Sequence, residues 1–175
     1  MKLSVHKGSL NGTVQAPTSK SHTHRAYMLA SLSSGISHIK SPLFGEDTNA
    51  TLDAVKMLGA GVTVNGDEVT ISGGNLHAAD SVIDCKNSGS SIRMLAGIAA
   101  GLPGKTSFTG DASLCKRPML PLLDALKELG AEVESENGCA PFSVTGQAPG
   151  TEVSIRGDIS SQFISALLLG APMSP

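Results

Sequence analysis

The sequence predicts an α/β protein built from repeated βαβαββ units, and three observations carry that prediction. DAVKMLGAGVTVNGDEVTISG, from Asp53, recurs as DALKELGAEVESENGCAPFSVTG, from Asp124, at an offset of 71 residues. In each copy a helical pattern stops at Leu-Gly-Ala and two short strands follow around a turn. The likeness also extends upstream, where KSHTHRAYMLASLSSG and NSGSSIRMLAGIAAG both read as a Ser-rich start, an Arg, and an aliphatic helix ending at Gly. Helices alternating with strands in this way indicate an α/β architecture.

Taken in order, LSVHK reads as a strand and GTVQAPT as a hinge, so residues 1–15 form an N-terminal strand segment. The first unit, about residues 16–79, continues with the helix of KSHTHRAYML, the strand SHIKS and the helix of DAVKML. Gly59 supplies its left-handed cap, and GVTVN and EVTIS close the unit as a hairpin. The second, about residues 80–150, repeats the plan with NSGSSIRMLAG, KTSFT, DALKEL capped by Gly130, then AEVES and PFSVT. Pro118 suits the opening position of its second helix. A third copy, residues 151–175, offers the strand TEVSIRG and the helix start DISSQFISALLLGAP and no more. It reads as an incomplete unit of a truncated domain. A capping half-repeat is the alternative, but the apolar helix FISALLLGAPM calls for something to pack on.

Composition narrows the function. The chain has 175 residues, enough for one domain with a sizeable core. With one Tyr, four Phe and no Trp, that core must be aliphatic and Ala-rich. A formal net charge of −2 argues against a general nucleic-acid binder, and the missing aromatics argue against a base-stacking platform. Cys85, Cys115 and Cys139 are an odd number with no C-x-x-C pair, so neither a disulfide framework nor a zinc site is expected. MKLSVHKG lacks the apolar run of a signal peptide, and no stretch is long enough to span a membrane. The expectation is a reduced, cytoplasmic protein.

The chemistry concentrates at three equivalent helix starts: Thr18-Ser19-Lys20-Ser21, Asn87-Ser88-Gly89-Ser90-Ser91 and Asp158-Ile159-Ser160-Ser161-Gln162. N-capping accounts for one hydroxyl at each; clusters of several exceed it. Lys20 and Arg25 accompany the first start, Arg93 the second, and Lys116-Arg117 a later one before Pro118. Cations there oppose the helix dipole unless an anion lies between them and the free amides. Ser21 and Arg25, four apart, share a helix face and can grip a phosphate or carboxylate together. A solvated surface charge is the ordinary reading of any one of these cations, but Lys20, Arg25 and Arg117 together point to an anionic ligand. Arg93 has a second reading, as a buried structural partner for a carboxylate such as Asp47 or Asp111.

Other residues carry less. His22 and His24 are two apart, face different ways on a helix, and make a poor metal pair; they read as surface or supporting residues. Cys115 beside Lys116-Arg117 has a reactive reading, though a small loop residue is the simpler one. Asp47 and Asp53 read as caps or solvated charges of the GEDTNATLDAV helix. Without a Walker A motif or a G-x-G-x-x-G fingerprint, no cofactor and no metal is expected.

SKSHTHRA, NSGSSIR, GDASLCKRPM and DISSQF, in this order, resemble the N-terminal half of the 5-enolpyruvylshikimate-3-phosphate synthase family, across the whole chain. The resemblance implies a fold of two domains, each an inside-out α/β barrel of three βαβαββ units, with the active site between them. It implies transfer of the enolpyruvyl group of phosphoenolpyruvate to the 5-hydroxyl of shikimate 3-phosphate, with release of phosphate, in aromatic amino acid (chorismate) biosynthesis. By the same resemblance, Lys20 matches the catalytic lysine that contacts phosphoenolpyruvate. Asn87, Gly89, Arg117 and Gln162 match its surroundings on that substrate. Ser21, Arg25, Ser160, Ser161 and Gln162 match the shikimate 3-phosphate side.

Both substrates are anions, so cations and helix amides must offset their repulsion before the atoms can meet. Addition and elimination also need proton transfer, and in the family the acidic groups for it lie in the C-terminal half. The chain therefore needs that missing domain as its partner and is expected to be inactive alone. Departures from the family pattern are Thr18 for Gly, His24 for Asn and Met94 for Pro. The rival readings are a UDP-N-acetylglucosamine enolpyruvyl transferase-like enzyme and a non-catalytic anion-binding half of a split enzyme. Cys115 stands too near Arg117-Pro118 to match the reactive cysteine of the former, and Ser160-Ser161-Gln162 favours the shikimate enzyme.

Overall fold

The computed structural model describes residues 2–9, 11–146 and 152–173. Its first unit runs α1 (Lys20–Leu32), β1 (Gly35–Lys40), α2 (Glu46–Met57), β2 (Gly61–Asn65) and β3 (Glu68–Gly73). The second runs β4 (Ile83–Asp84), α3 (Gly89–Gly101), β5 (Gly104–Thr109), α4 (Leu120–Glu128), β6 (Glu132–Ser135) and β7 (Phe142–Gly146). A single helix, α5 (Ser161–Gly170), follows from the third.

The repeat is visible in the pairing. β1-β3-β2 forms one antiparallel sheet, and β5-β7-β6 repeats that order in the second, where β4 adds a parallel strand beside β5. Each second helix ends identically. Gly59 and Gly130 have φ near +100°, their amides reach back to Lys56 and Lys127, and the next amides reach Val55 and Leu126. That is the glycine cap expected from Leu-Gly-Ala: the left-handed residue satisfies carbonyls that the helix leaves open.

α3 lies at the centre. Eleven of its residues are buried, which marks a helix enclosed on all sides rather than an amphipathic surface one. α1, α2, α4, α5 and the second sheet pack around it. Small residues allow this. A methyl group on Gly97 would overlap the carbonyl of Ala166 in α5, and one on Gly170 would overlap the carbonyl of Gly97. The two backbones therefore touch. Leu95, Ile98, Val144 and the Phe108–Phe142 pair, with ring centroids 5.3 Å apart, fill the layer between α3 and the second sheet.

Several expectations need correction. Residues 3–7, read as a strand, form none: Leu3 and Val5 are exposed, and no described strand lies alongside to take their backbone hydrogen bonds. Residues 152–156 likewise form no strand, and Thr151 lies outside the described residues. The described strands accordingly make two open sheets and no closed barrel. Pro118 does not open α4, which begins at Leu120 with Met119 as its N-cap and Pro121 in the first turn. A 3₁₀ turn, Leu114–Lys116, ends at Arg117 and takes up the intervening chain.

Candidate active site

The three serine-rich segments do start helices. Ser19, Ser88 and Ser160 are the N-caps of α1, α3 and α5, and their hydroxyls accept from the amides of His22, Ser91 and Gln162. One serine per helix is thus consumed by capping. Gly89 and Ser90 in α3, like Lys20 and Ser21 in α1, keep amides without a partner among the described residues. Such free amides, with the dipole behind them, favour an anion.

The side chains around these starts interlock. Lys20, exposed at the first position of α1, places Nζ 2.7 Å from Oδ2 of Asp47 in the first turn of α2. Arg25 is half-buried one turn later. It donates to the carbonyl of Ser21 at 3.2 Å and to Oγ of Ser165, in α5, at 3.3 Å. Arg117 donates to Oδ1 of Asn87, whose Nδ2 donates to Asp111 at 2.6 Å. Gln162 bridges two repeats: its Oε1 accepts from Arg93 at 2.8 Å and its Nε2 donates to Ser90 Oγ at 2.8 Å. Gly89 lies against both guanidiniums, since a methyl group there would come within 3.0 Å of Arg117 Nη1 and 3.5 Å of Arg93 Nη1.

Asn87, Gly89, Arg117, Ser160 and Gln162 thus form one set around Arg93 and Ser90, Lys20 pairs with Asp47, and Arg25 forms a separate set with Ser21 and Ser165. Ser161 stands at its edge: exposed, with its carbonyl accepting from Ser165 Oγ at 3.2 Å. Arg93 joins the first set by a partner the sequence did not indicate. Its acceptor is Gln162, because Asp47 is taken by Lys20 and Asp111 by Asn87. The guanidinium also lies over the Phe163 ring, 5.2 Å from its centroid. Burial lowers its pKa, and the neighbouring Arg117 lowers it further. Asp111 is held below the usual carboxylate range by its hydrogen bond from Asn87 and then by those from the Leu114 and Ser113 amides.

Charge at the site is lopsided. Among the described residues, Arg25, Arg93 and Arg117 have no carboxylate partner, while Lys20 has one. Like charges gathered without counter-charge are costly unless an anion completes them. No group of three or more His, Cys, Asp or Glu among these residues is placed to hold a metal ion, and no helix is long and apolar enough to cross a membrane.

Sequence reasoning passed over Ser165 and Thr51. It read Asp47 as a cap or solvated charge, whereas Asp47 anchors Lys20. His22 is exposed, but His24 is fully buried, with Nδ1 2.7 Å from Thr51 Oγ1. Burial lowers its pKa to about 4; Asp47 opposes that shift and Lys20 and Arg25 add to it. The three cysteines are free thiols, and burial drives the Cys85 thiol well above its ordinary range.

Comparison with known proteins identifies the relatives of this chain. A family model described as EPSP synthase (3-phosphoshikimate 1-carboxyvinyltransferase) matches residues 5–175. A 3-phosphoshikimate 1-carboxyvinyltransferase of Methanocorpusculum labreanum is 65% identical over 99% of this chain and 42% of its own length. One of Methanothermobacter thermautotrophicus is 48% identical over the same shares. The solved EPSP synthase of Acinetobacter baumannii superposes with a TM-score of 0.82 at 33% identity, over 93% of this chain and 38% of that one. The enolpyruvyl transferase NikO of Streptomyces tendae, at 19% identity and a TM-score of 0.55, shares the fold. The chain thus spans about two fifths of the length of the curated relatives it matches. Repeat plan, helix-start motifs and sequence identity converge: the chain belongs to the EPSP synthase (3-phosphoshikimate 1-carboxyvinyltransferase) family.

Proposed function

We propose that this chain supplies one wall of an enolpyruvyl transferase site, which binds shikimate 3-phosphate and phosphoenolpyruvate side by side. The observation that carries this reading is the pair of guanidiniums, Arg93 and Arg117, set against Gly89 at the open-amide start of α3 with no carboxylate partner among the described residues. Arg25, Ser21, Ser160, Ser161 and Gln162 take the phosphate and hydroxyls of shikimate 3-phosphate. Arg117 takes the phosphate of phosphoenolpyruvate, with Asn87 orienting Arg117, Gly89 admitting the ligand close to the backbone, and Gln162 between the two substrates. Lys20 turns from Asp47 to the phosphoenolpyruvate as it binds. Bringing two anions together in this way is the chain's contribution to rate.

Proton transfer belongs elsewhere. Asp47 and Asp111 are already engaged, by Lys20 and Asn87, so the described site offers no free carboxylate for general acid or base work. Turnover on this reading needs the further domain that the longer relatives carry, joined through residues 1–15. The exposed Leu3 and Val5 have the alternation to pair with a strand from it. Calorimetric titration of the chain with shikimate 3-phosphate tests the binding; absence of heat at millimolar ligand rejects it. Phosphate release from both substrates by the chain alone would overturn the division of labour.

A further inference from the structure

Between α1, α2 and α3 runs a line of buried polar atoms that the substrate roles do not use. His24 Nδ1 in α1 is 2.7 Å from Thr51 Oγ1 in α2, which is 2.6 Å from Ser91 Oγ in α3. Ser91 Oγ is in turn 2.6 Å from Oγ of Ser88, the N-cap of α3. Ser88 is 1% exposed and the other three are fully buried. Thr51 and Ser91 each also lie 3.4 Å from the Asp47 carbonyl, a longer and weaker alternative. Asp47 and Thr51 are four apart on α2, so one helix face holds Lys20 with the first and His24 with the second.

The line has a direction, and the bond at its far end sets it. Ser91 Oγ donates to Ser88 Oγ, so the Ser91 hydroxyl accepts from Thr51 and the Thr51 hydroxyl accepts in turn from His24. A neutral imidazole carries one N–H, on either nitrogen, and burial keeps this ring neutral. The proton is therefore on Nδ1, where it meets Thr51, and Nε2, buried with no partner among the described residues, keeps a lone pair. Thr51 then donates to Ser91 and Ser91 to Ser88. Each bond polarises the next, and the Ser88 hydroxyl hydrogen is left as the uncommitted end.

We infer that His24 is a positioning residue: as the Nδ1–H tautomer it anchors a one-way donor line through Thr51 and Ser91 to Ser88, and this line fixes the starts of α1 and α3 against each other. The Gly89 and Ser90 amides thereby keep their aim relative to Lys20. An Asn side-chain nitrogen occupies the place of Nδ1, whereas a Gln nitrogen reaches the place of Nε2.

Nitrogen-15 NMR of the histidine-labelled chain tests the tautomer directly. The expected result is a protonated Nδ1 and a bare Nε2 for His24; a proton on Nε2 overturns the inference. The second test compares H24N with H24Q in calorimetric titrations with shikimate 3-phosphate. H24N is expected within about twofold of the parent and H24Q about tenfold weaker, one hydrogen bond's worth. Equal losses in both, or none in H24Q, overturn it. This binding comparison rests on the proposed function. If the parent itself takes no shikimate 3-phosphate, that reading fails, while the tautomer measurement still decides the role of His24 and does not depend on either variant folding.

Discussion

Arg93 donates to Gln162 Oε1 at 2.8 Å, so the second repeat holds the side chain at the start of the third. The same bond fixes which end of the amide faces which way, because Nε2 must then meet Ser90. Q162L should strand a half-buried guanidinium and cost about 1–3 kcal/mol of stability, read from urea unfolding. Q162E should keep that stability by pairing with Arg93. Its added negative charge should still weaken phosphoenolpyruvate binding, measured in a complete enzyme. Equal affinity in Q162E and the parent would remove Gln162 from the substrate side of the site.

Among the described residues Arg25 has only neutral partners, the Ser21 carbonyl and the Ser165 hydroxyl. R25A should therefore leave folding nearly intact while weakening shikimate 3-phosphate binding by about 1.5–3 kcal/mol, the worth of a hydrogen bond to a charged group. Calorimetry separates the two effects; unchanged affinity would rule out the assigned role.

His24 gives stability a pH dependence of definite sign. Its pKa falls from 6.5 to about 4 on folding, so between those values the unfolded chain binds the extra proton. The contribution is whole above pH 6.5 and declines as pH falls toward 4, by up to about 3 kcal/mol. Asp47, Lys20 and Arg25 are the charged groups that modulate the shift. Urea midpoints measured from pH 7 to 4.5 should fall in the parent and fall less in H24N. Identical profiles would show that His24 is not the group responsible.

G97A should destabilise the fold although alanine is the better helix former. Its methyl group meets the Ala166 backbone rather than a yielding side chain, and overpacking of this kind costs about 1–3 kcal/mol. A melting temperature equal to or above that of the parent would contradict the close α3–α5 contact.

Much of this was legible in the sequence because repetition made each signal appear twice. The Leu-Gly-Ala caps, the hairpin strands and the serine-rich starts all fell where the pattern put them, since local sequence alone determines caps and turns. Residues 3–7 and 152–156 form no strand for the opposite reason: a strand needs a neighbour, and no pattern of alternation supplies one. Partner choice inside the site was equally hidden. Asp47, Asp111 and Gln162 were all in view, but which cation each would meet depends on how α2, α3 and α5 converge. His24 shows the limit most clearly. A histidine two residues from an exposed one gives no hint that it is sealed in the core and bonded to a threonine 27 positions away.

The contact of Gly97 with Ala166, and of Gly170 with Gly97, leaves no side chain between α3 and α5 at that crossing. A joint made of two main chains has no rotamers to exchange, so it behaves as a fixed gauge rather than a cushion. The interval between the Ser90 and Gln162 ends of the site is thereby cut to one length. Any accommodation to ligands of different size must come from the rim, from Lys20 and from Arg25, whose long side chains swing where the helices cannot.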